Sequence, residues 1–228
     1  MSVDKDLLEL FIDRLRESPF FGSLSEEGLA FLETRAKLTL YQTGASIFAE
    51  GKPSQGLYWL LSGTLKAVKY STAGREQILH LIEPGQTFNE VGSFTTQPNP
   101  ASVLALTPSQ VWHIPGEAIR QLLQQDPQFA QMIIEILSSR LRRSVDLIED
   151  LSLRPVTNRL SRLILDEADG DILFRPVWYT QNELAARLGT VTDVVQRALR
   201  KLEDDDLIHV ERRQIRIIDR DALESLAV

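Results

Sequence analysis

Apolar positions along the chain follow two different periods, and the change from one to the other divides it. Through residues 4–35, Leu7, Leu8, Phe11, Ile12 and Leu15 keep a helical period. Ser18-Pro19 interrupts it, and Ser25-Glu26-Glu27-Gly28 opens a second helix that ends near Arg35. From Ala36 to Pro115 the texture changes to short apolar runs: IFAE, LYWLL, LKAVKY, QILHLI, ASVLAL and QVWHI. Turns at Gly44, Gly51, Gly56, Gly63, Gly74, Gly85 and Gly92 separate them. Many short strands with glycine at near-regular spacing predict a β-sandwich or jelly roll.

Helix returns at Pro115. After Asp126-Pro127 a long helix runs to about Asp150, with Ile134, Leu137, Leu141, Ser144, Ile148 and Leu151 at alternating steps of three and four. That spacing is a coiled-coil seam broken by one hydroxyl. Packing on the β-domain would produce the same stripe, but a long amphipathic helix between two domains more naturally pairs with its own copy. Arg154-Pro155 ends the helix, because the residue before proline avoids the α region. Proline at N1 then starts a helix over Val156 to Ala168, leaving a hinge near Leu153 to Pro155.

The stretch Tyr179 to Leu202 reads as two short helices joined by a tight turn. Thr180 and Glu183 form a capping box, so a helix starts at Gln181. Leu184, Ala185 and Leu188 give it an apolar stripe, and Gly189 supplies the positive φ of a C′ position. Thr190 with Asp193 repeats the cap. Val191, Val194, Val195, Ala198, Leu199 and Leu202 form the buried face of the second helix, which leaves Thr192, Asp193, Gln196, Arg197, Arg200 and Lys201 outside. Beyond it, Leu207-Ile208 leads through Arg212-Arg213 into Ile215 and Ile217: two short strands and a basic turn. A helical hairpin with a solvated charged face is the plain alternative. The adjoining wing favours a winged helix-turn-helix that binds double-stranded DNA.

Length and composition fit two globular domains rather than one: 228 residues, 43% hydrophobic and 25% charged. The division is a β-roll with N-terminal helices over 1–126, a dimerisation helix over 127–153 and a DNA-binding domain over 154–228. No run approaches the roughly eighteen apolar residues of a membrane span, and MSVDKDLLEL lacks the features of a signal peptide. The expected address is cytoplasmic, with no membrane partner. With no cysteine, thiolate-held iron-sulfur clusters, Cys-type zinc sites and thiol redox sensing are excluded within this chain. The net charge of −7 argues against nonspecific coating of nucleic acid. Local charge matters more: Arg197, Arg200, Lys201, Arg212, Arg213 and Arg216 cluster at the proposed reading head. The acidic run Glu203 to Asp206 is read as a solvated helix end.

In their order, GLYWLLSGTLKAVKY, GREQILHLIEPGQTFNEVGSF, LSLRPVTNRLSRLIL and TQNELAARLGTVTDVVQRALRKLEDDDLI resemble the Crp/Fnr family of bacterial transcription regulators over nearly the whole chain. The resemblance implies an α+β protein: a cyclic-nucleotide-binding-like jelly-roll β-roll, a long dimerisation helix and a C-terminal winged helix-turn-helix. It implies a non-enzymatic homodimer that places one recognition helix in each major groove of a two-fold operator and contacts RNA polymerase. Its base-reading positions fall on Thr192, Asp193, Gln196 and Arg197, where an arginine suits guanine O6 and N7 and a carboxylate can accept from cytosine N4. Asp193 serves equally well as a cap for its own helix. Thr180, Gln181, Arg200, Lys201, Arg212 and Arg213 are the phosphate-contact candidates.

The sensing half departs from that family's cyclic-nucleotide branch. Its Arg-Ser pair, which holds the cyclic phosphate, corresponds here to Pro100 and Ala101 in NEVGSFTTQPNPASV, with Ser102 adjacent and Glu90 retained. A buried phosphate without a cation costs several kcal/mol, so cyclic AMP and cyclic GMP are disfavoured. The candidate effector pocket comprises Glu90, Ser102, His80 and Ser144, the last where the resemblance places a helix hydroxyl against the effector. Alternatives are a regulator without an effector, set by its own abundance, and a haem-based gas sensor with His80 as axial ligand. A lone strand histidine is more often ordinary packing. With three histidines and no HxH spacing, a jelly-roll metalloenzyme with a DNA-binding domain has little support. No metal site is expected.

Overall fold

The structure, a computed structural model, describes residues 12–18, 20–95 and 97–227; the expected helical positions Leu7, Leu8 and Phe11 lie outside them. The chain divides into two compact units: one runs to Lys69 and resumes over His80–Arg142, and the other holds Tyr70–Leu79 with Arg143 onward.

In the first unit, helix α1 is described over 12–17 and α2 spans Glu26–Glu33. Ser25 caps α2, its Oγ accepting from the Gly28 amide at 3.2 Å. The expected short runs become β2 (Ser46–Phe48), β3 (Gly56–Ser62), β4 (Leu65–Tyr70), β7 (Ser102–Ala105) and β8 (Ser109–Pro115), together with β5 (Glu76–Ile82), whose residues up to Leu79 are counted with the second unit. To these the fold adds β1 (Lys37–Tyr41) and the two-residue β6 (Thr87–Phe88). They form two four-stranded sheets, β1-β8-β3-β6 and β2-β7-β4-β5, the jelly roll that the glycine punctuation predicts. Gly63, at φ 94°, turns the chain between β3 and β4, where residues with a Cβ are disfavoured. Gly92 is different. It lies inside helix α3 (Glu90–Phe94), so the turn expected there is absent.

Helix α4 (Gly116–Gln125) precedes the long α5 (Pro127–Leu153). Asp126 caps α5 by accepting from the amides of Gln128 and Phe129, each at 3.0 Å, and Pro127 takes the first helical position, where no amide partner is needed. Phe129 and Ile133 of α5 are buried with Phe21, Trp59, Trp112 and Ile114 of the β-roll core. A side chain as large as Phe129, fully buried, contributes about 1.5–3 kcal/mol. Met132, Ile136 and Leu137 pack partly buried against the same cluster. Leu137 therefore faces its own β-roll rather than lying wholly on the expected seam. Ile134 (64% exposed), Leu141 (68%), Val145 (55%) and Ile148 (64%) form the open apolar stripe of α5 instead.

In the second unit, helix α6 spans Val156–Glu167. Pro155 is its N-cap rather than N1, and Ala168, the expected last residue, is its C-cap, so each lies one position outside the helix that forms. At the bend between α5 and α6, Asp150 accepts from Arg154 at 2.9 Å and from Arg162 at 3.2 Å. There follow β9 (Ile172–Phe174), α7 (Gln181–Arg187), α8 (Thr192–Asp204), β10 (Ile208–Val210), β11 (Gln214–Ile217) and α9 (Arg220–Ala227). The sheet β10-β11-β9 is three-stranded; β9 is not among the expected strands, nor α9 among the helices. Leu160, Ile164, Leu184, Val195, Leu199, Leu202, Ile215 and Leu223 make its core.

Candidate nucleic-acid interface

Helix α7 begins as its sequence requires. Thr180 is extended at φ −81°, ψ 171°, and its hydroxyl accepts from the Glu183 amide at 3.3 Å. The Thr180 amide, which the box would give to the Glu183 carboxylate, donates to the Trp178 carbonyl at 2.9 Å. Helix α7 ends with Gly189 at φ 64° and the Thr190 amide bonded to the Ala185 carbonyl at 2.9 Å, a Schellman closure. The second cap differs from expectation: Val191, extended at φ −116° and 49% exposed, is the N-cap of α8, and no side chain caps it. Val191 is therefore outside the buried face, and Thr190 and Asp193 do not form a cap pair. Asp193 still sits in the first turn, where a negative charge is favoured by the helix dipole.

Val195, Ala198, Leu199 and Leu202 bury the inner face of α8. Asp193, Arg197, Arg200 and Lys201 are exposed, while Thr192 and Gln196 are half-buried. Gln196 Nε2 donates to Oε1 of Gln181 at 2.6 Å. Sequence reasoning gives these two residues different tasks and does not pair them.

The wing closes on a two-residue tip. The Glu211 amide donates to the Gln214 carbonyl at 2.9 Å, leaving Arg212 and Arg213 exposed at the turn. The Arg175 amide donates to the Arg213 carbonyl at 2.8 Å, so the chain leaving β9 holds the tip from behind. Arg216 is exposed on β11 and pairs with Glu211 at 3.3 Å. In the acidic run, Asp204, Asp205 and Asp206 are exposed, but Glu203 is not simply solvated: its Oε1 accepts from the Val210 amide at 2.8 Å and so supports the first wing strand.

A cluster that no motif announced ties α7 to α6. Glu167, the last residue of α6, accepts from both terminal nitrogens of Arg187 and from the Tyr179 hydroxyl at 2.6 Å. Arg187 also lies over the Tyr179 ring, 5.2 Å from its centroid. Burial, the largest cause, raises the Tyr179 phenol well above its ordinary range, so it stays a hydrogen-bond donor. The only sequence signal is that Tyr179 and Arg187 flank α7 at its two ends. The resulting surface presents amide, carboxylate and guanidinium groups from one helix beside a basic turn, a combination suited to base edges and phosphates.

In the β-roll, Asn89 adopts the left-handed region at φ 68°, its Nδ2 donating to Ser54 Oγ at 2.9 Å and to the Gly56 carbonyl at 3.0 Å. This places Glu90, 5% exposed, at the head of α3. Glu90 accepts a hydrogen bond from Arg140 of α5, which also donates to the Thr87 carbonyl at 2.6 Å and the Thr87 hydroxyl at 3.1 Å. The signal for Arg140 lies in the β-roll-facing stripe Phe129, Ile133, Ile136 and Leu137, whose next helical position is a cation. Ser102 is engaged elsewhere, its Oγ accepting from the Glu50 amide at 2.9 Å. His80 is exposed on β5 and Ser144 is exposed on α5. Pro100 is exposed and Ala101 is buried. His113, half-buried against Tyr58 with ring centroids 4.9 Å apart, has its basicity lowered chiefly by burial. Among the described residues no three His, Asp or Glu side chains converge as metal ligands, and no helix is long and apolar enough to cross a membrane.

Residues 38–126 match the cyclic nucleotide-binding domain family, and residues 158–226 match the Crp-like helix-turn-helix domain family. A CRP-like cAMP-activated global transcriptional regulator of Mycobacterium tuberculosis is 26% identical over 215 residues, covering 92% of this chain and 96% of that protein. The cyclic AMP receptor protein of Thermus thermophilus is also 26% identical over 215 residues, covering 93% and 98%. Among solved structures, the c-di-GMP responsive global regulator CLP of Xanthomonas campestris superimposes with a TM-score of 0.74 at 22% identity, covering 86% of this chain and 100% of that one. With both halves matched and in this order, the chain belongs to the Crp/Fnr family of bacterial DNA-binding transcription regulators, which are not enzymes.

Proposed function

We propose that this protein is a cytoplasmic homodimer that binds a two-fold symmetric operator and acts on RNA polymerase. Each protomer lays α8 in a major groove, reads bases with Thr192, Asp193, Gln196 and Arg197, and grips phosphates with Arg200, Lys201 and the wing tip Arg212-Arg213. The observation that carries this reading is the two-sided character of α8: Val195, Ala198, Leu199 and Leu202 are buried while Asp193, Arg197, Arg200 and Lys201 stand in solvent. Dimerisation uses the exposed stripe of α5, whose Ile134, Leu141 and Ile148 repeat at heptad spacing. Two recognition helices related by that axis would match half-sites one helical turn apart, about 34 Å.

The β-roll is not a cyclic-nucleotide receptor in this reading. Pro100 and Ala101 occupy the positions that the resemblance gives to the phosphate-holding pair, and neither side chain is a cation. The buried Glu90 carboxylate is compensated within the chain by Arg140, which favours a second reading in which the dimer binds DNA without an effector. One experiment separates the two. Protein purified without added ligand is weighed by native mass spectrometry, its absorption is recorded, and it selects duplexes from a random pool. A colourless dimer that selects a two-fold site supports the effector-free regulator. An added mass, a Soret band or failure to select assigns the switch to a small molecule or haem, and a monomer overturns the dimer.

A further inference from the structure

Gln181 and Gln196 stand on different helices, yet their amides meet: Nε2 of Gln196 donates to Oε1 of Gln181 at 2.6 Å. Both side chains are half-buried, which limits the rotamers available to each. A primary amide carries two N–H donors and one carbonyl acceptor, and its terminal torsion is broad and roughly two-fold. A glutamine left free at a groove could therefore turn either end toward the bases. At Gln196 the contact with Gln181 occupies one N–H; with the N–H trans to the carbonyl so engaged, the oxygen and the N–H cis to it stand side by side for the groove. That pairing of one acceptor with one donor is the complement of adenine, whose N6 donates and whose N7 accepts.

We propose that Gln181 is a positioning residue that sets the base preference of Gln196 toward adenine, rather than a phosphate contact. The inference rests on α8 being the recognition helix with Gln196 a base reader. Its location fits the role: Gln181 opens α7 directly after the Thr180 cap, and the Schellman turn at Gly189 fixes α7 against α8. The Glu167 cluster, anchored on Tyr179 and Arg187, holds both ends of α7, so Gln181 is carried on a rigid support.

The test compares base preference, by selection from a random duplex pool and by affinity for single-base variants of the selected site. It uses the full-length wild type, Gln181→Met, Gln181→Glu, Gln196→Met and the double Met variant. Gln181→Met should flatten the preference for adenine at one base pair by about tenfold and leave every other position and the salt slope unchanged. Gln181→Glu, which keeps an acceptor facing Nε2, should retain that preference while weakening all sequences alike through its added charge. Gln196→Met should flatten the same base pair, and the double variant should be no worse than Gln196→Met alone. If Gln196→Met flattens a position but Gln181→Met leaves it sharp and weakens all sequences alike, Gln181 is a phosphate contact and the inference is overturned. If Gln196→Met changes no preference, the assignment of Gln196 as a reader fails and takes the inference with it.

Discussion

Arg140 of α5 and Glu90 of α3 form an ion pair in which the carboxylate side chain is 6% exposed and the guanidinium 25%. The arginine's second terminal nitrogen is held by the carbonyl and hydroxyl of Thr87, so the cation is fixed in direction as well as in charge. Removing one partner of a buried pair leaves the other uncompensated, which costs more than removing both. Arg140→Met should therefore lower unfolding free energy by about 3 kcal/mol, a value at the low end of the range for buried pairs because the guanidinium is partly solvated. Glu90→Gln placed on top of Arg140→Met should recover part of that loss. Urea unfolding of the four proteins of this cycle measures it. Additive losses would mean that the two side chains act independently.

Arg197 stands exposed one turn after Asp193 on α8, clear of the buried positions Val195 and Ala198. Its fork can take guanine O6 and N7 together, whereas alanine leaves both acceptors unmatched. Arg197→Ala should weaken operator binding by roughly 1–3 kcal/mol and relax discrimination at a single base pair. Titration against operators varied one position at a time checks this, and an unchanged preference at every position would remove Arg197 from the readers.

Arg213 differs in kind. It lies at the wing tip rather than on α8, and its backbone carbonyl is fixed by the Arg175 amide at 2.8 Å. A guanidinium presented on such a turn meets phosphate and carries no sequence code. Arg213→Ala should weaken all duplexes by a similar factor and reduce the slope of log affinity against log salt by about 0.9 for each phosphate that is no longer neutralised. An effect confined to one base pair would contradict the assignment.

Elements built on local rules are legible in the sequence. Glycines needing positive φ at Gly44, Gly51, Gly56, Gly63, Gly74 and Gly85 mark the strand ends, and Thr180 with Gly189 bounds α7. Features that depend on tertiary partners are not. Nothing local distinguishes Leu137, half-buried on the β-roll, from Leu141, which is exposed, because both fall on one apolar stripe and only the position of the β-roll core separates them. Val191 and Thr190 compete for the cap of α8, and the Schellman closure, which commits the Thr190 amide to Ala185, decides for Val191. The Arg140–Glu90 and Gln181–Gln196 contacts join polar residues far apart in sequence, where no periodicity reports on pairing.

That separation on α5 can be tested by swapping chemistry at neighbouring positions. Leu141 and Val145 are 68% and 55% exposed, so a lysine at either place meets water in a monomer and costs little there. In a paired seam the same lysine must be desolvated against its copy across the two-fold axis, with like charges opposed. Leu141→Lys and Val145→Lys should each give folded monomers in sedimentation velocity and lose cooperative binding to a two-fold operator. Leu137, packed against the β-roll core, should behave in the opposite way. Leu137→Ala should lower stability by about 2 kcal/mol, since a partly buried leucine lies at the low end of the cavity-forming range, and leave the native mass unchanged. A Leu137→Ala monomer with Leu141→Lys still dimeric would place the seam on the face of α5 that this structure packs against the β-roll.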